Sequence, residues 1–143
     1  MDYREAYQAW LDDDFIDDES KKELKALEGN EGEIKDRFYT SLQFGTAGLR
    51  GKLGAGTNRM NIYTVSQASE GFARFISKQG EEAKKKGVSI GYDVRHFSKE
   101  FAQLSAEIFA GHGIHVYLHR DICPTPLLSY TVRETGSFAG VMI

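Results

Sequence analysis

The strongest constraint on how this chain folds is a repeated change of hydrophobic period along residues 88–143. Val88, Ile90 and Tyr92 alternate as in a strand. Phe101, Leu104, Ile108 and Phe109 then share one helical face, which Gly111-His112-Gly113 closes. Ile114, Val116 and Leu118 alternate again, and Thr125-Pro126 has the form of an N-cap with proline at the first helical position, opening a helix to about Glu134. Phe138 to Ile143 is an apolar strand. The order β-α-β-α-β predicts an α/β fold, a mixed sheet with flanking helices and right-handed crossovers. Such sheets take ligands at the carboxyl ends of their strands.

Residues 1–40 read as a helical N-terminal extension packing on a domain of residues 41–143 that is incomplete at its C-terminus. Tyr3, Ala6, Tyr7, Trp10 and Leu11 follow the spacing of one buried helical face. Ser20 and Glu23 have capping-box spacing for a second helix with Leu24 and Leu27, and Ile34, Phe38 and Leu42 stripe a third. Glycines at 45, 48, 51, 54 and 56 then break all periodicity, predicting a loop or irregular hairpin over 44–61. Thr64 and Gln67 have capping-box spacing for a helix with Val65, Ala68, Phe72, Phe75 and Ile76 on one face. Gly80 ends it, and Glu81–Lys86 reads as a polar surface extension.

Composition excludes several classes. No run of about 18 apolar residues exists, so no membrane span is expected. The acidic opening Asp2-Tyr3-Arg4-Glu5 is unlike a signal or transit peptide, and the single cysteine, Cys123, fits a reducing compartment, so the expected location is cytoplasmic. Residues 1–40 hold 13 acids and 6 bases, whereas residues 41–143 hold 8 acids and 12 bases. A basic stretch can attract anionic ligands, although solvated lysines alone would give the same count. Nucleic acid is disfavoured because Lys84-Lys85-Lys86 is the one basic run and carries no interleaved aromatics.

Two segments carry residue types suited to phosphate. The glycine-rich stretch fails the P-loop pattern, since position 46 is threonine, and the dinucleotide pattern, since position 59 is arginine. It retains Thr46, Arg50, Lys52, Arg59 and many backbone amides; glycines let amides approach an anion, and an arginine fork matches phosphate oxygens. A purely structural turn is the alternative. Asp93 and Arg95, in Tyr92–Ser98, stand where a strand gives way to a helix: Arg95 could bind phosphate and Asp93 could orient it, or the pair could be a capping turn with a surface ion pair. His96, His112, His115 and His119 lack metal-ligand spacing, and no metal ligands are expected.

Phe44–Gly51, reading FGTAGLRG, resembles the opening motif of the α-D-phosphohexomutases, the phosphoglucomutase/phosphomannomutase family. Gly54–Asn61 resembles the branch typical of Bacillus-like bacteria; Gly91–Arg95, Pro124-Thr125-Pro126 and Gly140–Ile143 resemble later motifs in the same order. The resemblance implies an enzyme that interconverts hexose 1-phosphate and hexose 6-phosphate through a phosphoserine and a bisphosphate intermediate, with charge stabilisation of the moving phosphoryl group. It implies phosphate-binding roles for Thr46, Gly48, Arg50 and Arg95, with Arg59, Asn61 and Asp93 in support. The phosphoserine, in a Thr-Ala-Ser-His-Asn-Pro loop, is expected beyond Ile143, so no catalytic residue lies in this chain. Mg²⁺ and a hexose 1,6-bisphosphate activator are expected for the full-length enzyme, with neither bound by these residues alone. The partners expected are a hexose phosphate in the full-length enzyme and, through the last strand, a second copy of the chain. The 143 residues alone are expected to be inactive; the rival readings are a non-catalytic sugar-phosphate-binding module and an interaction fragment.

Overall fold

A computed structural model describes residues 2–46 and 48–143. Contacts group the chain into two compact units, Met1–Thr64 and Val65–Ile143.

The first unit holds three helices, α1 (Tyr3–Asp12), α2 (Asp18–Lys25) and α3 (Glu31–Phe38), followed by a short antiparallel hairpin of β1 (Phe44–Gly45) and β2 (Gly48–Leu49). The apolar stripe of α1 does what its spacing predicts. Tyr3, Ala6, Tyr7, Trp10 and Leu11 pack on a buried cluster of Leu24, Ile34, Phe38 and Ala55. Trp10 meets Phe38 and Tyr63 edge-to-face, with ring centroids 5.7 and 5.2 Å apart. Ala55 belongs to the glycine-rich stretch, so that stretch helps to form the helices' core.

Three local expectations shift. The cap of α2 is Asp17, whose carboxylate accepts the Ser20 N–H at 2.8 Å; an ionised acceptor serves the helix start, and Ser20 falls inside the first turn. Leu42 lies past the end of α3 and packs on Gly51, where a Cβ would come within 2.8 Å of its Cδ1. The helix α4 (Ile62–Lys78) starts ahead of Thr64, because the Asn61 side-chain oxygen accepts the N–H groups of Tyr63 and Thr64 at 3.1 and 2.9 Å.

Helix α4 runs across the division between the units, and the second unit continues through α5 (Glu81–Lys86), β3 (Val88–Gly91), α6 (Ser98–Gly111), β4 (Val116–Leu118), α7 (Thr125–Thr135) and β5 (Ala139–Met142). The polar segment 81–86 forms a short helix; its acids lead and its lysines trail, which suits the helix dipole. The strands form a parallel sheet in the order β4-β3-β5, with β3 buried throughout. Among the described residues, antiparallel pairing is confined to the separate β1-β2 hairpin. Ile76, Val88, Ile90, Ala102 and Phe109 lie at the centre of the second core. Ser89 on the same buried strand is satisfied by the Ser137 hydroxyl at 2.8 Å. Among the described residues no helix is long and apolar enough to cross a membrane.

Candidate functional site

The strand order fixes one location. From central β3 the chain moves outward to β4, then crosses to β5 on the other side. The direction reverses between β3 and β5, and in open parallel sheets the crevice at the carboxyl ends of such strands is where ligands sit. Three of the sequence motifs converge there. Ile143 donates its N–H to the Gly91 carbonyl at 3.0 Å, and its own carbonyl accepts the Asp93 N–H at 2.9 Å. Cys123 donates its N–H to the Tyr92 carbonyl at 2.9 Å, and the Tyr92 hydroxyl donates to the Arg120 carbonyl at 2.7 Å. Gly91 permits this closeness, because a Cβ there would stand 3.0 Å from Cys123 Sγ and 3.3 Å from Met142 Sδ.

Beyond β3 the backbone turns around Asp93. One carboxylate oxygen accepts the Arg95 N–H at 2.9 Å and the Ser98 hydroxyl at 3.0 Å; the other accepts Arg95 Nε at 2.8 Å. These bonds, led by the Arg95 amide, hold the Asp93 carboxyl below the ordinary aspartate range. The Arg95 side chain is 71 % exposed, so its Nη groups remain open to solvent while Nε is held. Phe97, which precedes α6, has φ 63° and is the one non-glycine residue in the left-handed region among those described. Such a conformation persists where its surroundings over-determine it, commonly at functional loops. Neither Phe97 nor Ser98 carried a sequence signal for this role.

In the first unit the cations of the glycine-rich stretch divide into two kinds. Arg59 is buried. It donates to the Asp36 carboxylate at 2.6 Å, to Glu33 at 3.1 Å, and to the carbonyls of Asp36 and Asn58 at 3.3 and 3.0 Å. Asn61 donates to the carbonyls of Gly54 and Gly56, at 2.9 Å each, while capping α4. Both residues hold the loop's shape through these bonds. Arg50 differs. It is exposed at the exit of β2, and among the described residues it makes no ion pair. Thr46 is exposed in the hairpin turn, and Gly48 has φ +92°, a value that favours glycine. Lys52 is exposed and lies 3.7 Å from Asp36.

Sequence marks none of the carboxylates that hold this loop for that task; Glu23 has only its capping-box spacing with Ser20. Arg37 donates to Glu23, to Glu33 at 2.9 Å and to the Ala55 carbonyl at 3.0 Å. Glu33 is held below its ordinary range by hydrogen bonds from Arg37 and then Arg59, and Asp36 by its bond from Arg59. The spacing of Glu33 and Arg37 is a readable i, i+4 signal; that Arg59 joins them is a tertiary fact. Among the described residues no group of three or more His, Cys, Asp or Glu could hold a metal ion. Burial raises the Cys123 thiol above its ordinary value, which disfavours the thiolate.

Residues 41–143 match the sequence profile described as phosphoglucomutase/phosphomannomutase, alpha/beta/alpha domain I. The chain is 42% identical over 142 residues to a mouse phosphopentomutase, covering 94% of this chain and 23% of that protein. It is 44% identical over 110 residues to a probable phosphoribomutase of Schizosaccharomyces pombe, covering 77% and 19%. It is 43% identical over 111 residues to a phosphoglucomutase of Staphylococcus aureus, covering 78% and 20%. The chain therefore spans about a fifth of the length of these relatives. No solved structure matches it.

Proposed function

Because the chain belongs to the phosphoglucomutase/phosphomannomutase family, with its domain I at residues 41–143, we propose that it is the phosphoryl-handling front of a phosphosugar mutase that interconverts hexose 1-phosphate and hexose 6-phosphate. The observation that carries this reading is the contrast between Arg50 and its neighbours. Arg37 and Arg59 are committed to carboxylates, whereas Arg50 is exposed and makes no ion pair among the described residues. A guanidinium held on a shaped loop with its fork open is suited to meet two oxygens of a phosphoryl group. The exposed Thr46 hydroxyl supplies a further donor on the same loop. Arg95, steered by Asp93 at the switch-point crevice, is assigned a second phosphate contact.

In this reading the phosphoserine belongs to the full-length enzyme outside these residues, and so do the ligands of Mg²⁺, which supplies charge neutralisation when bound. The residues of this chain orient and neutralise phosphate; they do not hold the metal. The hexose bisphosphate activator, a cytoplasmic location and the inactivity of the 143-residue chain are parts of the same proposal. A pentose phosphate is the second reading, favoured by the mouse phosphopentomutase aligning over 94% of the chain against 78% for the S. aureus phosphoglucomutase.

The test is steady-state kinetics of the full-length enzyme with glucose 1-phosphate and ribose 1-phosphate in parallel. Arg50→Lys replaces the fork by a point charge and is expected to lower kcat roughly ten- to a thousand-fold, with an unchanged melting temperature. Arg120→Lys is expected to be silent, because its side chain is exposed and its bond to Tyr92 is made by the backbone carbonyl, which the substitution keeps. Near-normal kcat in Arg50→Lys would remove the phosphate role. A kcat/KM for ribose 1-phosphate above that for glucose 1-phosphate would select the pentose reading.

A further inference from the structure

We propose that Arg37, on the third helix of the N-terminal extension, is a positioning residue for Arg50, acting through a relay of alternating charges that fixes the glycine-rich loop; the inference rests on the phosphate role proposed for Arg50. The relay runs Glu23–Arg37–Glu33–Arg59–Asp36. Its two cations are the buried members, with side-chain exposures of 11% for Arg37 and 3% for Arg59, so the carboxylates close over them.

The loop is moulded on Arg37 in particular. Gly54 and Gly56 have φ +140° and +128°, and a Cβ at either would strike this pair: at Gly54 it would lie 2.9 Å from Glu23 Oε1 and 3.1 Å from Arg37 Nη1, and at Gly56 2.9 Å from Arg37 Cβ. Between these glycines Ala55 is held at both backbone polar atoms. Its N–H donates to Glu23 at 3.1 Å, and its carbonyl accepts Arg37 Nη1 at 3.0 Å. The Arg37 carbonyl accepts the Asn58 N–H at 2.9 Å. The hold extends toward Arg50, since Lys52 offers its carbonyl to the Met60 N–H at 2.8 Å and Gly51 rests on Leu42. Arg50 therefore follows the hairpin and precedes a loop whose Gly54–Asn58 part is bonded to α2 and α3 and whose Gly51–Lys52 part is joined to it through Met60 and Leu42. A small displacement of a charge-stabilising group is costly in a phosphoryl site, because a misplacement of about 1 Å can cost ~100-fold.

Arg37→Lys keeps the charge and loses the fork that spans Glu23, Glu33 and the Ala55 carbonyl. Glu23→Gln is the milder companion, keeping an acceptor for the Ala55 amide while removing the ion pair. Both are made in the full-length enzyme, alone and combined with Arg50→Lys, and followed by kcat, KM and thermal melting. Expected is a kcat loss of roughly ten-fold for Arg37→Lys, a smaller loss for Glu23→Gln, and little change in KM. Combined with Arg50→Lys, either should lower kcat less than about three-fold further, because residues acting through one group are non-additive. Losses that multiply in full would mean that Arg37 acts independently of Arg50 and would overturn the proposal. So would full kcat in both single variants. If Arg50→Lys is itself silent, the phosphate reading fails first, and the positioning proposal falls with it.

Discussion

Arg59 is tied to Asp36 twice: Nη2 donates to the side-chain carboxylate at 2.6 Å, and Nη1 donates to the same residue's carbonyl at 3.3 Å. A loop arginine thereby grips both the backbone and the side chain of α3. The grip is buried on the arginine side and half open on the aspartate side. Removing the arginine therefore leaves carboxylates that water can reach, but also two carbonyls that lose a donor. Arg59→Leu is expected to cost about 2–4 kcal/mol, below the full penalty of an orphaned buried charge. Lys52→Met, which removes an exposed cation 3.7 Å from the same carboxylate, is expected to cost less than about 0.5 kcal/mol. Denaturant titration followed by the emission of Trp10 in the first core measures both.

Acid should loosen the same unit. Glu33 and Asp36 have folded values below their ordinary ones, held there by Arg37 and Arg59 for the first and by Arg59 for the second. Their contribution is therefore fully present above about pH 4–5, the unfolded carboxylate range, and is lost as pH falls through the depressed folded values. Both side chains are partly exposed, so each effect is modest. Trp10 emission is expected to change below about pH 4, and Glu33→Gln with Asp36→Asn should flatten that pH dependence while lowering stability at neutral pH. An acid transition unaltered in the double variant would contradict this origin.

At the carboxyl edge of the sheet, Asp93→Asn should separate orientation from folding. Asparagine keeps an acceptor for the Arg95 amide and the Ser98 hydroxyl, and it loses the ionic hold on Arg95 Nε. A stability change within about 1 kcal/mol is expected, together with a several-fold loss of kcat/KM in the full-length enzyme as Arg95 explores more rotamers. Unchanged kinetics would leave Asp93 as a turn residue only.

The parallel α/β unit was legible because each of its elements carries its own period: alternation in Val88–Tyr92 and Ile114–Leu118, a helical stripe in Phe101–Phe109. The convergence of Gly91, Cys123 and Ile143 follows from the strand order β4-β3-β5, which the periods leave open. Helix starts were less legible. Asp17 and Asn61 displaced the expected caps at Ser20 and Thr64 because several capping-competent side chains stood within one turn, and only tertiary placement chooses among them. In the glycine-rich stretch the residue types suggested anion binding for all its cations alike. Sequence could not show that Arg59 turns inward onto Glu33 and Asp36 while Arg50 turns out, since that depends on which helix the loop lies against.

Glycine substitutions give a further test of the backbone itself. Gly87 enters β3 with φ +73°, and a Cβ there would lie 2.2 Å from the His115 carbonyl oxygen, within the backbone that leads into β4. Neither strand can yield, because the Val88 N–H is bonded to that same oxygen at 2.8 Å. Gly136 ends α7 with φ +66°, yet nothing lies within 4 Å of its added Cβ. Gly71 sits inside α4 with open space around it and no left-handed backbone. The three positions separate steric clash, backbone strain and helix propensity. Gly87→Ala is expected to cost well above 2 kcal/mol, combining the clash with the left-handed penalty. Gly136→Ala should cost about 1–2 kcal/mol from backbone strain alone. Gly71→Ala should stabilise by about 0.5–1 kcal/mol, through helix propensity and a less free unfolded chain. Thermal melts of the three variants decide the order. A Gly87→Ala protein as stable as Gly136→Ala would mean that the β3–β4 pairing relaxes around the new methyl group, and the close approach at His115 would then not be what requires glycine.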